Sequence, residues 1–183
     1  MTSLRSLVLS AALTAILAYK PTMTVQEAAL AGDLKRVKEL VERDARQAND
    51  TSSPDGFPPL AMAAYLGRGE IVKYLLAKGA DLNFAAPGLG FSALTGAVDN
   101  NRPEVVKILL EAGADPNYRY EDGAASVMTT AAAVGNPTIM KALLDAGGDP
   151  SGATKDGKTP LALALEKGKT EVAELLRRHG AKA

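Results

Sequence analysis

The chain contains one histidine and no cysteine, and these two counts limit the chemistry that it could perform. Without cysteine it forms no disulfide, holds no thiolate-bound zinc and has no thiol nucleophile. His179 lies in the run Arg-Arg-His-Gly-Ala near the C-terminus, where a cation stabilises the end of a helix. No serine and aspartate accompany it in the pattern of a catalytic triad. We therefore interpret His179 as a helix-end residue and expect a non-enzymatic protein with no catalytic residues.

The carboxylates and glycines also lack the spacing of a catalytic or metal-binding site. Glu70, Glu104 and Glu171 recur near predicted helix N-termini, where a negative charge interacts favourably with the helix dipole. Gly88 and Gly90 follow no strand of a βαβ unit, so they predict a turn and not a phosphate-binding loop. We expect no metal, no cofactor and no small-molecule substrate.

The overall charge gives no reason to expect nucleic acid as a partner. The chain has 21 Lys and Arg against 21 Asp and Glu, so no global field attracts a polyanion. Charge is nevertheless uneven along the chain. Residues 81–122 carry seven acidic and three basic side chains, a net charge of −4, whereas residues 151–183 carry seven basic and four acidic ones, a net charge of +3. Either these are solvated helix faces, or an acidic centre steers a partner.

A phrase that occurs twice shows how the chain is organised. Residues 70–83 read EIVKYLLAKGADLN and residues 104–117 read EVVKILLEAGADPN, an offset of 34 residues. In each copy, apolar residues at i, i+1, i+4 and i+5 predict one buried helix face. Gly79 and Gly113 then stand where a left-handed residue ends a helix, and the aspartate two residues later can turn the chain by bonding its own backbone. An internal period of this length indicates a solenoid of stacked repeats.

The phrase and its surroundings resemble the ankyrin repeat family. The second repeat is the fullest match, with Asp55-Gly56 at the finger turn, Pro59-Leu60-Ala-Met-Ala-Ala64 opening the first helix, and Gly67 between the two helices. The resemblance implies an all-α ankyrin-repeat solenoid of helix-turn-helix units with short β-hairpin-like finger loops. About five repeats, including degenerate caps, would fill a domain over 22–183, divided as 22–52, 53–86, 87–120, 121–153 and 154–183.

Several repeats depart from the family's pattern. In the first, Asp44 replaces the helix-ending glycine, and a polar loop is predicted over residues 47–56 in place of the usual turn. In the third, Asn101 replaces the glycine between the helices, a mild change because asparagine tolerates left-handed backbone. The fourth repeat is the weakest match, with Met128 for leucine and Gly148 for alanine.

The resemblance also implies where a partner protein binds: on the finger loops and on the concave face formed by the first helix of each repeat. Exposed aromatic residues near arginine are typical of binding hot spots. The predicted partner-binding residues are Phe57, Tyr65, Leu66, Leu89, Phe91, Asp99, Asn100, Arg119 and Tyr120. The alternative is that aromatic rings pack beneath the fingers, which we expect above all for Phe84 and Tyr118.

Residues 1–20 differ from the repeats. Arg5 precedes fourteen uncharged residues, which is the outline of a secretory signal peptide. Ile16 is larger than the usual residue at its place before a cleavage site, so an extra helix on the first repeat or an uncleaved anchor over residues 4–18 remains an alternative. We expect a periplasmic or secreted protein whose mature chain begins near Tyr19. Otherwise the protein is cytoplasmic or membrane-associated, and the retained segment docks it as an assembly subunit of a larger complex.

Overall fold

Ten α-helices form five consecutive pairs in the computed structural model, which describes residues 23–53, 56–84, 90–120 and 123–182. The inner helices, the first of each pair, are α1 (Val25–Ala31), α3 (Pro59–Tyr65), α5 (Ala93–Asp99), α7 (Val127–Val134) and α9 (Pro160–Glu166). The outer helices are α2 (Leu34–Arg43), α4 (Gly69–Ala77), α6 (Pro103–Glu111), α8 (Pro137–Asp145) and α10 (Thr170–Arg178). Inner helices pack on inner helices and outer on outer, which confirms the predicted all-α solenoid.

One continuous core runs through all five helix pairs. Among its largest members are leucines that recur from repeat to repeat, each at most 1% exposed: Leu60, Leu75, Leu109, Leu143, Leu161 and Leu176. Between them lie buried alanines on every inner helix. Because alanine adds little volume, neighbouring inner helices can approach closely, and each pair is stabilised chiefly by the pairs on either side of it.

The helices end at the glycines that the sequence analysis identified as helix-ending residues, and the aspartates that follow them turn the chain. Gly79 and Gly113 have φ angles of 81° and 95°, so the predicted left-handed helix ends are confirmed. The carboxylates of Asp81 and Asp115 accept hydrogen bonds from backbone N–H groups two residues on, at 2.9 and 2.8 Å. Asn101, with φ of 55°, is the only non-glycine residue with positive φ in the described ranges, as its place in the repeat predicts.

Asparagine side chains join one repeat to the next near the base of the fingers. The Nδ2 group of Asn117 donates to the Gly147 carbonyl at 3.1 Å, and the Asp149 N–H donates to Asn117 Oδ1 at 2.6 Å. Asn49 makes the corresponding two bonds between the first and second repeats, at 2.9 and 2.6 Å. Each of these asparagines therefore satisfies a donor and an acceptor that a helix end leaves open.

The end of the first repeat is more regular than its sequence suggests. A 3-10 helix, Ala45–Asn49, occupies the start of the segment for which we predicted a polar loop over 47–56, and that part of the prediction is wrong. The Asp44 side chain accepts a hydrogen bond from the Arg46 N–H at 3.1 Å and so caps this short helix. Ala48 is fully buried by it. The 3-10 helix places the asparagine at its end in the same register as in the later repeats.

At the turn between the two helices of a repeat, a side chain from the next repeat lies over the left-handed residue. Three pairs share this arrangement: Arg68 over Gly32, Arg102 over Gly67 and Lys169 over Gly135. A Cβ on any of these glycines would meet the long side chain at 2.9 Å or less. The third repeat differs because Asn101 itself has a side chain. Its partner in the next repeat is the short Asn136, whose Nδ2 donates to Asn101 Oδ1 at 2.6 Å. We call these four contacts the interlocking pairs.

Candidate partner-binding surface

Phe91 lies at the centre of the predicted binding surface, in the finger before α5. Its ring centroid is 4.9 Å from that of Phe57 in an edge-to-face arrangement, and 5.9 Å from that of Tyr65 at the end of α3. Ala61 and Phe84 pack against the same group, which we call the aromatic cluster. Aromatic pairs at these distances stabilise a structure beyond their buried area. The cluster therefore braces the bases of two fingers against the inner helix between them.

The Phe91 ring fits into this cluster because α5 has a glycine beneath it. A Cβ on Gly96 would lie 2.6 Å from Phe91 Cζ. The ring is only 6% exposed, so the expectation of an exposed Phe91 is wrong. Gly96 was not among the predicted site residues. Its sequence signal is a glycine in the middle of a predicted helix, where glycine is about 1 kcal/mol less favourable than alanine and needs a packing reason.

Tyr120 is also buried, with 8% of its surface exposed. Its backbone N–H donates to the Ala125 carbonyl at 3.1 Å, and its carbonyl accepts from the Gly123 N–H at 2.8 Å, within the hairpin of the fourth finger. Its hydroxyl donates to Asp99 Oδ2 at 3.2 Å. The expectation of an exposed Tyr120 is therefore wrong, because the ring is held inward by a bond that joins this finger to the end of α5.

Arg119 remains exposed on the same finger. It forms an antiparallel bridge with Ser126, and its Nη2 donates to the Ala153 carbonyl of the next finger at 2.7 Å. The ring before it, Tyr118, is half-buried against the main core, which agrees with the packing expected for it. Alternate residues of this hairpin thus point inward and outward, as the period of two in a β-strand requires.

The remaining predicted residues lie at the ends of the inner helices. Leu66 follows α3 and packs partly on the core. Asn100 follows α5, and its Nδ2 donates to the Gly96 carbonyl at 3.0 Å. Leu89 lies outside the described residues. The predicted residues with exposed or half-buried side chains are Phe57, Tyr65, Leu66, Asp99, Asn100 and Arg119.

Many of the charged side chains on the repeats are already paired within the protein. Glu111 lies 3.8 Å from Lys107 on the same helix. In the basic C-terminal repeat, Lys158 and Glu166 form an ion pair at 2.7 Å. The hydrogen bond between them raises the pKa of Lys158 and lowers the pKa of Glu166. For these residues the interpretation as solvated helix faces fits better than the interpretation as a steering charge.

His179 lies at the C-terminal end of α10, as predicted. It is exposed, and its Nδ1 is 2.9 Å from the Leu175 carbonyl oxygen. Within the described ranges, no group of three or more Asp, Glu and His side chains is placed to hold a metal ion. No helix in the same ranges is long and apolar enough to cross a lipid bilayer.

These features together define an all-α repeat protein, with fingers braced on stacked inner helices. A family profile described as "Ankyrin repeats (3 copies)" matches residues 25–120 and 94–183. The chain belongs to the ankyrin repeat family, which confirms the resemblance seen in the repeated phrase. Proteins of this family generally bind other proteins and are typically not enzymes.

A curated protein from Danio rerio, Ankyrin repeat and SAM domain-containing protein 6, is similar to part of the chain. The two are 46% identical over 52 residues. The match covers 28% of this chain and 7% of that protein. The similarity therefore concerns a short block of repeats and leaves most of the relative without a counterpart in the match.

Proposed function

We propose that the protein binds a partner protein through the fingers and inner-helix ends of repeats two to four, with Tyr65, Asp99 and Arg119 as contact residues. The observation that supports this most is the contrast between accessible and buried side chains. Phe91 and Tyr120 are buried and fix the fingers, while Asp99 and Arg119 are exposed and Tyr65 is partly exposed above them. Because the supporting rings already hold the surface in place, binding loses less conformational entropy.

Replacing both Tyr65 and Arg119 with alanine should weaken partner binding about tenfold or more, which corresponds to about 1.4 kcal/mol. Tyrosine and arginine are the residue types that most often dominate binding energy. The partner is first isolated from the protein's own host with the purified repeat domain and identified by mass spectrometry. Isothermal titration calorimetry with the purified partner then gives the affinity of each variant.

Lys73→Ala is the matched control, because Lys73 is exposed on outer helix α4 and forms an ion pair with Glu70 of the same helix. It should change the affinity less than about twofold, in keeping with the small contribution of surface ion pairs. A Tyr65/Arg119 variant that keeps its helical circular dichroism and binds as tightly as the wild type would remove this assignment of the surface.

We propose further that the protein is exported and acts in the periplasm or outside the cell. The support is the sequence of residues 1–20, a segment outside the described residues, with a single cation followed by an uncharged apolar run. N-terminal sequencing of protein purified from its own host should find a mature chain that starts near Tyr19. A chain that starts at Met1 or Thr2 would contradict export by this route. It would instead favour the alternative expected from the sequence, an extra helix at residues 4–18 on the first repeat.

A further inference from the structure

The outer helices present one equivalent position whose residue changes from repeat to repeat. It carries Tyr74 in α4, Ile108 in α6, Ala142 in α8 and Leu175 in α10. All four side chains are partly buried against the core. Ile108 shows the direction of this position, because its Cδ1 would lie 3.4 Å from a Cβ on Gly69 of the preceding outer helix. The residue at this position thus fills the space between two successive outer helices.

In the second repeat, an aromatic ring fills that space. The Nζ atoms of Lys38, on the preceding helix α2, and of Lys78, directly after α4, each lie 5.6 Å from the centroid of the Tyr74 ring, a distance at which a cation attracts the ring face. The Tyr74 hydroxyl is excluded from solvent and has no hydrogen-bond partner. Burial raises the pKa of this hydroxyl, and the nearby Glu42 carboxylate adds to the effect. The ring therefore occupies a slot beside a lysine and a glutamate that are one helical turn apart on α2.

In the fourth repeat, the same slot is an open groove between α6 and α8. Ala142 lines it together with Leu110 and Ala146, and the groove has a volume of about 420 Å³. Lys107 and Glu111 on α6 stand at the places that Lys38 and Glu42 take on α2. Because alanine has a small side chain, the space between α6 and α8 stays open. Tyrosine, isoleucine and leucine fill the corresponding space in the second, third and fifth repeats.

The rim of this groove has an ordered charge pattern. Lys107 pairs with Glu111 on one wall at 3.8 Å, and Lys141 pairs with Asp145 on the other wall at 2.6 Å. In both pairs the lysine comes one helical turn before the acid, so the cations lie toward one end of the groove and the carboxylates toward the other. An apolar ring with a hydrogen-bond donor at its tip is complementary to this arrangement, because the ring faces a cation and the donor faces a carboxylate.

We propose that the groove between α6 and α8 binds a tyrosine side chain presented by a partner protein. The chain's own Tyr74 shows that this slot accepts a tyrosine ring beside a lysine of the preceding outer helix. The second lysine near that ring, Lys78, is replaced in the groove by Ala146. Glu111 and Asp145 at the acidic end can accept the hydrogen bond of a phenol hydroxyl, which Tyr74 itself lacks. This surface is formed by outer helices, so it is separate from the contact residues proposed above on the fingers and inner helices. Each can fail without the other.

The probe is N-acetyl-tyrosinamide, titrated into the uniformly labelled protein and followed by backbone amide chemical shifts. We expect saturable shifts concentrated in α6 and α8. The variant Ala142→Tyr places the chain's own ring in the groove, so it should weaken the probe's binding at least about tenfold while keeping the helical spectrum. Absence of shifts in these helices, or equal shifts in the wild type and in Ala142→Tyr, would overturn the proposal.

Two matched measurements sharpen the result. Tyr74→Ala should open a second groove between α2 and α4, and N-acetyl-tyrosinamide should then also shift amides in those helices.

N-acetyl-leucinamide tests the choice of residue, because an aliphatic side chain gains neither the contact with Lys107 nor the hydrogen bond at the acidic end. We expect it to bind at least about threefold more weakly, and equal binding of the two probes would overturn the preference for tyrosine.

Discussion

Replacing Phe91 with alanine should lower the free energy of unfolding by about 3 kcal/mol, the lower end of what buried Phe→Ala substitutions cost. The ring is almost completely buried and makes its aromatic contacts with Phe57 and Tyr65. Its removal leaves a cavity between two fingers that the stacked helices cannot close without moving. Urea unfolding followed by circular dichroism measures the change.

The aromatic cluster also predicts that the effect of Gly96→Ala on the free energy of unfolding changes sign when Phe91 is replaced. In the wild-type protein, Gly96→Ala should be destabilising, because the new Cβ would lie 2.6 Å from Phe91 Cζ. In the Phe91→Ala background the space is empty, and Gly96→Ala should become stabilising by up to about 1 kcal/mol, the helix preference for alanine over glycine. If Gly96→Ala has the same effect in both backgrounds, the two residues are independent and Phe91 does not pack as described.

Gly148→Ala should destabilise the fourth repeat by about 2 kcal/mol, the middle of the range for overpacking in a filled core. A Cβ at Gly148 would lie 2.5 Å from the sulfur of Met128 and 2.8 Å from the Leu143 carbonyl oxygen. The carbonyl contact can relax, because Ala80 and Ala114 make the same backbone hydrogen bond in other repeats with a Cβ present. The sulfur is therefore the atom that has to move.

Met128→Leu tests this explanation, since the second, third and fifth repeats combine leucine with alanine at these two positions. Alone, the substitution should cost less than about 1.5 kcal/mol, as volume-conserving core changes do. Combined with Gly148→Ala it should recover at least about half of the loss caused by Gly148→Ala. Thermal unfolding of the wild type, the two single variants and the double variant gives a double-mutant cycle. Strictly additive effects on stability would show that the methionine sulfur does not fill the space of the missing methyl group.

The sequence predicts most of the fold because the repeat relies on local signals. Left-handed glycines, aspartate turns and the tolerance of Asn101 for positive φ depend on neighbours within a few residues, and these predictions are confirmed. The short helix at Ala45–Asn49 escaped prediction because its sequence differs from the repeated phrase. What identifies it is the long-range bonding of Asn49 to the next repeat, and such bonds have no local signal.

The predicted surface was harder to infer because finger position does not tell which way a ring points. Phe91 and Tyr120 turn inward for reasons that lie elsewhere in the chain, a glycine on α5 for the first and a carboxylate at the end of that helix for the second. Comparing the repeats with one another gives part of the information about which residues touch. Departures from the pattern occur in matched pairs, as Met128 with Gly148 shows, and a pair of departures indicates contact and not decay of the repeat.

The interlocking pairs also make each junction between repeats different from a junction that a rearranged order would create. A repeat that begins its outer helix with arginine or lysine lays that side chain over the glycine at the turn of the repeat before it, whereas the unit with Asn101 is followed by the short Asn136. A copy of the second repeat inserted after the third would bring Arg68 onto the side chain of Asn101. Moving a single repeat within this array therefore changes the partner at each junction, whereas moving two neighbouring repeats together keeps the junction between them.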